Sequence, residues 1–301
     1  QRQMCIRDSH YAYLKIAEGC NNRCHYCAIP GIRGPLHSRD MADCVAEARW
    51  LAGEGVKELI VVAQDPTAYG EDWGKPGSIC ELLDKLNKVP GLEWIRIMYA
   101  YPERITDDFI AAMKRNEKVV PYLDLPIQHC NDTILKNMNR RSNRAELLDV
   151  IGKLRREIPN ITLRTTLIAG FPGETEEEFA STLVFAENCG FSKMHIFPYS
   201  KRKGTPAEKM PNQIPETVKQ RRCAQLAELD HKQQQKFLER FVGSAVEVLF
   251  EQTVEDGYIE GLTSNYLRVY VRSEAELCGK IRKVRLLKAE TSFLIGELLK
   301  E

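Results

Sequence analysis

No apolar run in the 301-residue sequence is long enough to cross a bilayer. The longest unbroken aliphatic stretch is Leu59 to Ala63, against the roughly 20 residues a spanning helix needs, so no membrane partner is expected. An excess of one charge is missing too: 43 Lys and Arg face 42 Asp and Glu. There is no bulk attraction toward nucleic acid or an anionic surface, and any such partner must be met by a local patch. With 19 glycines and 14 prolines the chain is not fibrous, and 43% hydrophobic with 28% charged residues is the balance of a globular protein with a sizeable core. The opening, QRQMCIRDSH, lacks the apolar centre of a secretory signal, and residues 1–10 are read as an unassigned tail. The ten cysteines lack small-domain spacing, yet three of them crowd into eight residues. That pattern reads as metal ligation in a reducing cytoplasm, not as disulfides.

From Tyr11 on, short segments rich in β-branched and aromatic residues (11–17, 58–64, 94–100, 122–128, 161–170 and 191–199) alternate with amphipathic stretches at helical spacing (42–53, 79–89, 106–115, 144–157 and 174–189). Thr175 and Glu178 are spaced as a capping box. Strand then helix, repeated six times, demands parallel pairing through right-handed crossovers. The expected α/β architecture is an incomplete barrel or a doubly wound sheet over residues 11–200, with the site at the strand carboxyl ends. Residues 201–241 read as a polar, Pro-rich linker and a brace helix with Val218, Leu226, Leu229, Phe237 and Phe241 on its apolar side. Residues 242–301 hold five short strand patterns and no helix, which predicts a small antiparallel β-barrel.

The sharpest feature follows the first strand: Cys20, Cys24 and Cys27, in CNNRCHYC. Three thiolates at this spacing can hold three irons of a 4Fe-4S cube, whereas electron-transfer ferredoxins supply four cysteines. One iron is left open, which is what distinguishes a catalytic metal site from a closed structural one. The alternative is a zinc site completed by His25 or Cys44, but zinc sites usually add a distant second Cys pair and none is present. Cys44, Cys80, Cys189, Cys223 and Cys278 read as small buried hydrophobes. Gln64, Asp65, Gln128 and His129 end strands where polar groups suit a site. Gly170 opens the turn Gly170-Phe171-Pro172-Gly173, which is either a close approach to ligand or simply a tight turn.

Quoted in full, YLKIAEGCNNRCHYCAIPGIRGPLHSR, VVAQDPTAYG, YLDLPIQHCNDTILKNMNRR and LRTTLIAGFPGETEEEF resemble the radical S-adenosylmethionine methylthiotransferases, over residues 11 to about 185. They are closest to the branch that modifies an aspartate of a small-subunit ribosomal protein. FSKMHIFPYSKRKGTPAEKM and YIEGLTSNYLRVYV are more similar to the branch acting on a threonylcarbamoylated adenosine beside the tRNA anticodon, and residues 242–301 resemble a TRAM domain. The resemblance implies a radical-SAM (βα)6 barrel and S-adenosylmethionine bound to the open iron, with an electron breaking the sulfonium to give a 5′-deoxyadenosyl radical. It implies that Tyr26 packs on the cofactor, that Gln64 and Asp65 meet the methionine moiety, and that Phe197, Pro198 and Tyr199 contact adenine. Arg164 is placed against the methionine carboxylate or ribose, or against an Asp of the barrel wall. A second cluster is expected on an amino-terminal domain. Cys5 alone cannot replace its three ligands, so the chain as given is expected to cleave the cofactor without completing sulfur insertion. A flavodoxin or ferredoxin is the implied electron donor.

Residues 264–288 carry Arg268, Arg272, Lys280, Arg282, Lys283, Arg285 and Lys288 against Glu274 and Glu276, beside Tyr266 and Tyr270. Charge with aromatic rings is what a nucleic-acid or partner surface uses, though a solvated strand face has the same composition. A non-enzymatic RNA-binding module with a structural metal is the reading of another class.

Overall fold

The computed structural model describes residues 10–299; residues 1–9, with Cys5, lie outside the described residues. Strand β1 (Tyr11–Lys15) is followed by β2 (Ala17–Glu18), α1 (Ile29–Arg33), β3 (His37–Ser38) and α2 (Met41–Gly53). Strand and helix then alternate through β4 (Glu58–Val62), α3 (Ser78–Leu86), β5 (Trp94–Ile97), α4 (Asp107–Arg115), β6 (Val119–Asp124), α5 (Asp132–Asn137), α6 (Arg144–Glu157), β7 (Thr162–Ala169), α7 (Glu176–Cys189) and β8 (Lys193–Pro198). Six strands form one parallel sheet in the order β1-β4-β5-β6-β7-β8, the open (βα)6 barrel expected. β2 and β3 pair antiparallel apart from it.

Alternate residues of each strand face opposite ways. One set, including Leu14, Leu59, Val61, Ile95, Leu123, Leu163 and Leu167, is buried in the main hydrophobic core with helix residues such as Leu51, Leu82, Phe109, Leu147 and Phe185. The other set lines the lumen. Helix ends match their sequence signals: on α7 the Thr175 hydroxyl accepts from the Glu178 N–H (3.2 Å) and the Glu178 carboxylate accepts from the Thr175 N–H (2.9 Å). Asn143 and Glu146 do the same on α6.

The brace is α8 (Glu216–Glu239), and Phe241 falls beyond its end. Strands β9 (Ala245–Thr253), β10 (Tyr258–Thr263), β11 (Arg268–Arg272), β12 (Ile281–Ala289) and β13 (Leu294–Leu298) close a barrel in the order β10-β11-β13-β12-β9. It is not wholly antiparallel as expected, because β11 and β13 run parallel. Directions can alternate around a closed ring only if the strand number is even, so five strands force one parallel pair. Val248, Phe250, Ile259, Val269, Val271, Val284, Leu286 and Leu294 fill its interior.

The two units meet through a buried cation. Arg96 of β5, fully buried, donates to Glu58 of β4 (2.5 Å) and to the carbonyls of Ser264 (2.8 Å) and Thr263 (3.4 Å) in the small barrel. Its guanidinium lies against the faces of Tyr122 and Tyr266, 5.0 and 4.3 Å from their ring centres, and the two rings also touch each other (5.3 Å). Arginine presents five donors and no acceptor, so one side chain satisfies both units.

Candidate metal centre

The cysteine loop leaves the barrel where β1 ends. Gly19 has φ +71°, and a Cβ there would collide with the Pro35 carbonyl, so only glycine fits. Segment 137–139 holds the loop from the other side. His25 donates its backbone N–H to Met138 (3.0 Å) and its Nδ1–H to the Asn137 carbonyl (2.8 Å), while the Asn139 amide donates to the Arg23 carbonyl (2.9 Å). The Cys27 N–H donates to the Cys24 carbonyl (3.0 Å), and the Asn22 N–H points at Cys20 Sγ (3.4 Å). All three thiols are free, Cys24 buried and Cys20 and Cys27 half-buried. Burial pushes the Cys20 and Cys27 thiols up from their ordinary value, so bound metal must supply the positive charge that keeps them ionised.

Tyr101 Oη stands 3.9 Å from Cys24 Sγ, with the Arg140 guanidinium 4.4 Å over its ring. Arg140 pairs with Glu103 at 3.2 Å, yet its Nε and Nη1 are buried without partners, as is the Tyr26 hydroxyl. Buried polar atoms normally find partners, and these orphans beside Cys24 are where a bound group would supply them. Among the described residues no three His, Cys, Asp or Glu converge as a single metal ion requires. In a cubane each thiolate takes a different iron, which sets the sulfurs further apart. Of the alternative fourth ligands, Cys44 is buried in α2 within the hydrophobic core, and His25 is held by its Nδ1 on the Asn137 carbonyl. Three soft donors on one loop therefore fit a 4Fe-4S cluster with an open iron.

The structure sorts the remaining candidates. Tyr26 packs with Ile134, Met138, Ile168, Phe171 and Tyr199, joining the cysteine loop to the carboxyl ends of β7 and β8. Asp65 is 2% exposed and tied down, accepting from Asn22 Nδ2 and Arg104 Nη1 (both 2.9 Å). It fastens the cysteine loop to the segment after β5, so its carboxylate is not free for a ligand as expected. Neighbouring Gln64 keeps a buried Oε1 without a partner. Gln128 is not at a strand end: β6 stops at Asp124, because Pro126 has no N–H for the ladder. Gln128 itself adopts φ +68° and bridges to Leu167. Gly170 has φ +74°, and a Cβ would meet Lys219 of α8; the brace helix demands the glycine, which gives the turn a packing cause. Phe197 is 52% exposed and ends β8 with Pro198.

Arg164 lies six residues below Gly170, about 20 Å of strand, facing Asp124 at 3.4 Å on the barrel wall, which is the second of the two placements its sequence context allows. His129 is buried; its Nδ1 accepts from the Asn131 N–H (3.0 Å) and Nε2–H donates to Glu174 (3.0 Å). Glu174 in turn takes the Gly170 N–H and Arg222 Nη1 (2.7 Å), which makes His129 structural. Arg104, Tyr101 and Arg140 carry no sequence signal of their own. Arg140 lies in the quoted NMNRR, but nothing in that string shows that it folds back onto Cys24.

A model of the Radical SAM superfamily matches residues 14–186. Relatives named "Ribosomal protein uS12 methylthiotransferase RimO" are 43% identical over 97% of this chain and 69% of their own length in Alkaliphilus oremlandii, and 44% identical over 96% and 66% in Citrifermentans bemidjiense. The chain belongs to the radical SAM methylthiotransferases. It spans about two thirds of the length of these relatives, and the matches run through the small barrel as well as the radical SAM unit. Solved structures support the fold. Coproporphyrinogen III oxidase from Escherichia coli aligns with TM-score 0.57 and 15% identity over 98% of this chain and 73% of that one. The methyltransferase TsrM from Kitasatospora setae, with a 4Fe-4S cluster bound, aligns at 0.55 and 16% over 67% and 39%. No helix among the described residues is long and apolar enough to cross a membrane.

Proposed function

We propose that this chain carries the radical-generating and substrate-holding units of a methylthiotransferase that modifies an aspartate of ribosomal protein uS12. The observation that carries the reading is 43% identity to the RimO relatives over 97% of the chain, small barrel included. In this reading Cys20, Cys24 and Cys27 would hold a 4Fe-4S cluster, which would supply the electron for reductive cleavage of S-adenosylmethionine. Asn22, Asp65 and Arg104 fix the loop's position, and segment 137–139 fixes its other edge. Tyr26, Phe171 and Tyr199 form an apolar wall that excludes water from the radical. The Gln64 amide and the Arg140 guanidinium offer the buried polar atoms still open beside the loop. The second cluster is assigned to a further domain, the electron to a flavodoxin or ferredoxin, and the setting to the cytoplasm.

Of the six cations assigned to a partner surface, Arg272, Lys283 and Arg285 stand exposed on the outer face of the small barrel, with Glu297 opposite Arg285 in register. Arg268 is spent on Glu260 (3.2 Å), Lys280 donates to the Glu276 carbonyl, and Arg282 Nη1 donates to the Ile281 carbonyl. The exposed three are the partner surface of this reading. The test is anaerobic incubation of the reconstituted chain with reductant, S-adenosylmethionine and uS12 deuterated at the target aspartate. Deuterium in 5′-deoxyadenosine is expected with uS12 and not with tRNA; label transfer from tRNA instead would overturn the substrate assignment.

A further inference from the structure

Where the cysteine loop meets the segment after α5, a cation is buried beside the metal centre. The Arg140 side chain is 1% exposed. Its Cζ stands 4.4 Å over the Tyr101 ring, and the Tyr101 hydroxyl in turn stands 3.9 Å from Cys24 Sγ. Nη2 donates to Glu103 and to the Pro126 carbonyl (both 3.2 Å), while Nε and Nη1 are buried with no partner. Burial works against the charge, but Tyr26, Glu103, Tyr101 and Cys24 together outweigh it, and arginine stays a cation in any case. Cys24, Tyr101, Arg104 and Arg140 line one small gap. Arg104 is matched there by two carboxylates, Asp65 (2.9 Å) and Glu71 (2.6 Å). Arg140 has one, and that one, Glu103, also accepts from the Ser142 hydroxyl (3.1 Å). A buried cation with idle donors is costly, and the open side of this one borders a metal-ligating thiol.

We propose that the Arg140 guanidinium, fixed by Glu103 and Tyr101, raises the reduction potential of the cluster that Cys24 would help to hold, and so sets how readily the centre accepts its electron. The inference rests on the cluster reading above. The sign follows from charge. One electron from a low-potential one-electron donor adds a negative charge to the centre, with no bond made or broken, and a nearby cation favours the reduced state over the oxidised one. Burial keeps water from screening that attraction. Local charge and hydrogen bonds to sulfur are the levers that set such potentials. The guanidinium supplies the first, and its two free N–H groups with the Tyr101 hydroxyl can supply the second. Glu103 has the opposite charge, so it holds Arg140 in place while offsetting part of its effect. Loss of either partner should therefore move the potential, in opposite directions.

The test is a potentiometric titration of the iron- and sulfide-reconstituted chain, followed by electron paramagnetic resonance of the reduced cluster. Arg140→Gln is expected to disfavour reduction about tenfold, a downward shift of about 59 mV for one electron. Arg140→Lys, which keeps the charge without the planar fork, should disfavour it by about 3-fold. Glu103→Gln, which leaves the guanidinium less compensated, should favour reduction by about 3-fold. Opposite signs from the two halves of one ion pair are not what a purely structural pair gives, since breaking it from either side disturbs the loop alike. If Arg140→Gln loses its cooperative melt, Arg140→Lys and Glu103→Gln carry the test. Unchanged potentials, or potentials that move the same way in the Arg140 and Glu103 variants, would overturn the inference and leave the cluster reading standing. Loss of iron uptake in Arg140→Lys and Glu103→Gln alike would make the pair structural and overturn it too. A wild-type chain with no reducible cluster would overturn the cluster reading and this inference together.

Discussion

The two barrels of this chain differ in what they keep inside. The five-stranded one is closed and dry, with Phe250, Val269, Val284 and Leu294 interlocked and every strand edge paired. The six-stranded one is left open and holds Glu58, Arg96, Asp124 and Arg164 on its inner face, with both Asp124 oxygens lacking a hydrogen-bond partner. Closure abolishes unpaired edges and lets side chains pack to full density. Leaving a barrel open forgoes that density on its inner side, and the polar groups held there are the ones able to meet a ligand. The chemistry and the stability of this molecule are therefore carried by different units, joined through Arg96.

Three substitutions or conditions probe that division. Phe250→Ala removes a fully buried ring from the dry barrel and is expected to cost about 4 kcal/mol, read by urea denaturation, while iron loading at the cysteine loop persists; loss of iron with the same variant would merge the two units. Arg96→Leu leaves Glu58 buried and alone, which costs about 3 kcal/mol. It should split a single thermal transition into two as the small barrel loses its tie; one transition of unchanged midpoint would show that the joint lies elsewhere. The smallest effect concerns Glu251, pushed up to about 7 by burial, then by Glu58 and Glu260, with Arg268 and Arg96 opposing. Its folded value exceeds its unfolded one, so the folded state holds the proton more tightly. Stability from this group is present at low pH and is lost as pH rises from about 4.5 to above 7, by about 1 kcal/mol once solvent screening is allowed for. Melting midpoints between pH 5 and 8 should fall accordingly, and Glu251→Gln should flatten that slope.

Much of the fold was legible because each local signal agreed with the global one. The helix over 144–157 has the predicted limits, and Thr175 and Glu178 cap α7 as their spacing requires. The three cysteines announced themselves by crowding. Other features depend on facts a linear pattern does not hold. Sequence spacing marks Arg164 as a strand residue but not its height in the lumen, which is fixed by the register of Asp124 with Arg164. Asp65 reads as a polar strand end, yet Asn22 and Arg104, 43 and 39 positions away, claim it. Arg96 and Glu58 look like ordinary charges until the β4–β5 pairing buries them together. The parallel β11–β13 pair comes from ring closure, a property of all five strands at once.

The central claim is that three thiols, and no fourth protein ligand, hold a cluster with one open iron. Mössbauer spectroscopy of the anaerobically reconstituted chain, with and without S-adenosylmethionine, tests it most directly. The account predicts about four irons per chain, one of which changes its isomer shift when the sulfonium compound is added, and loss of the signal in Cys24→Ala. Four equivalent irons indifferent to the addition, or zinc in their place, would contradict it.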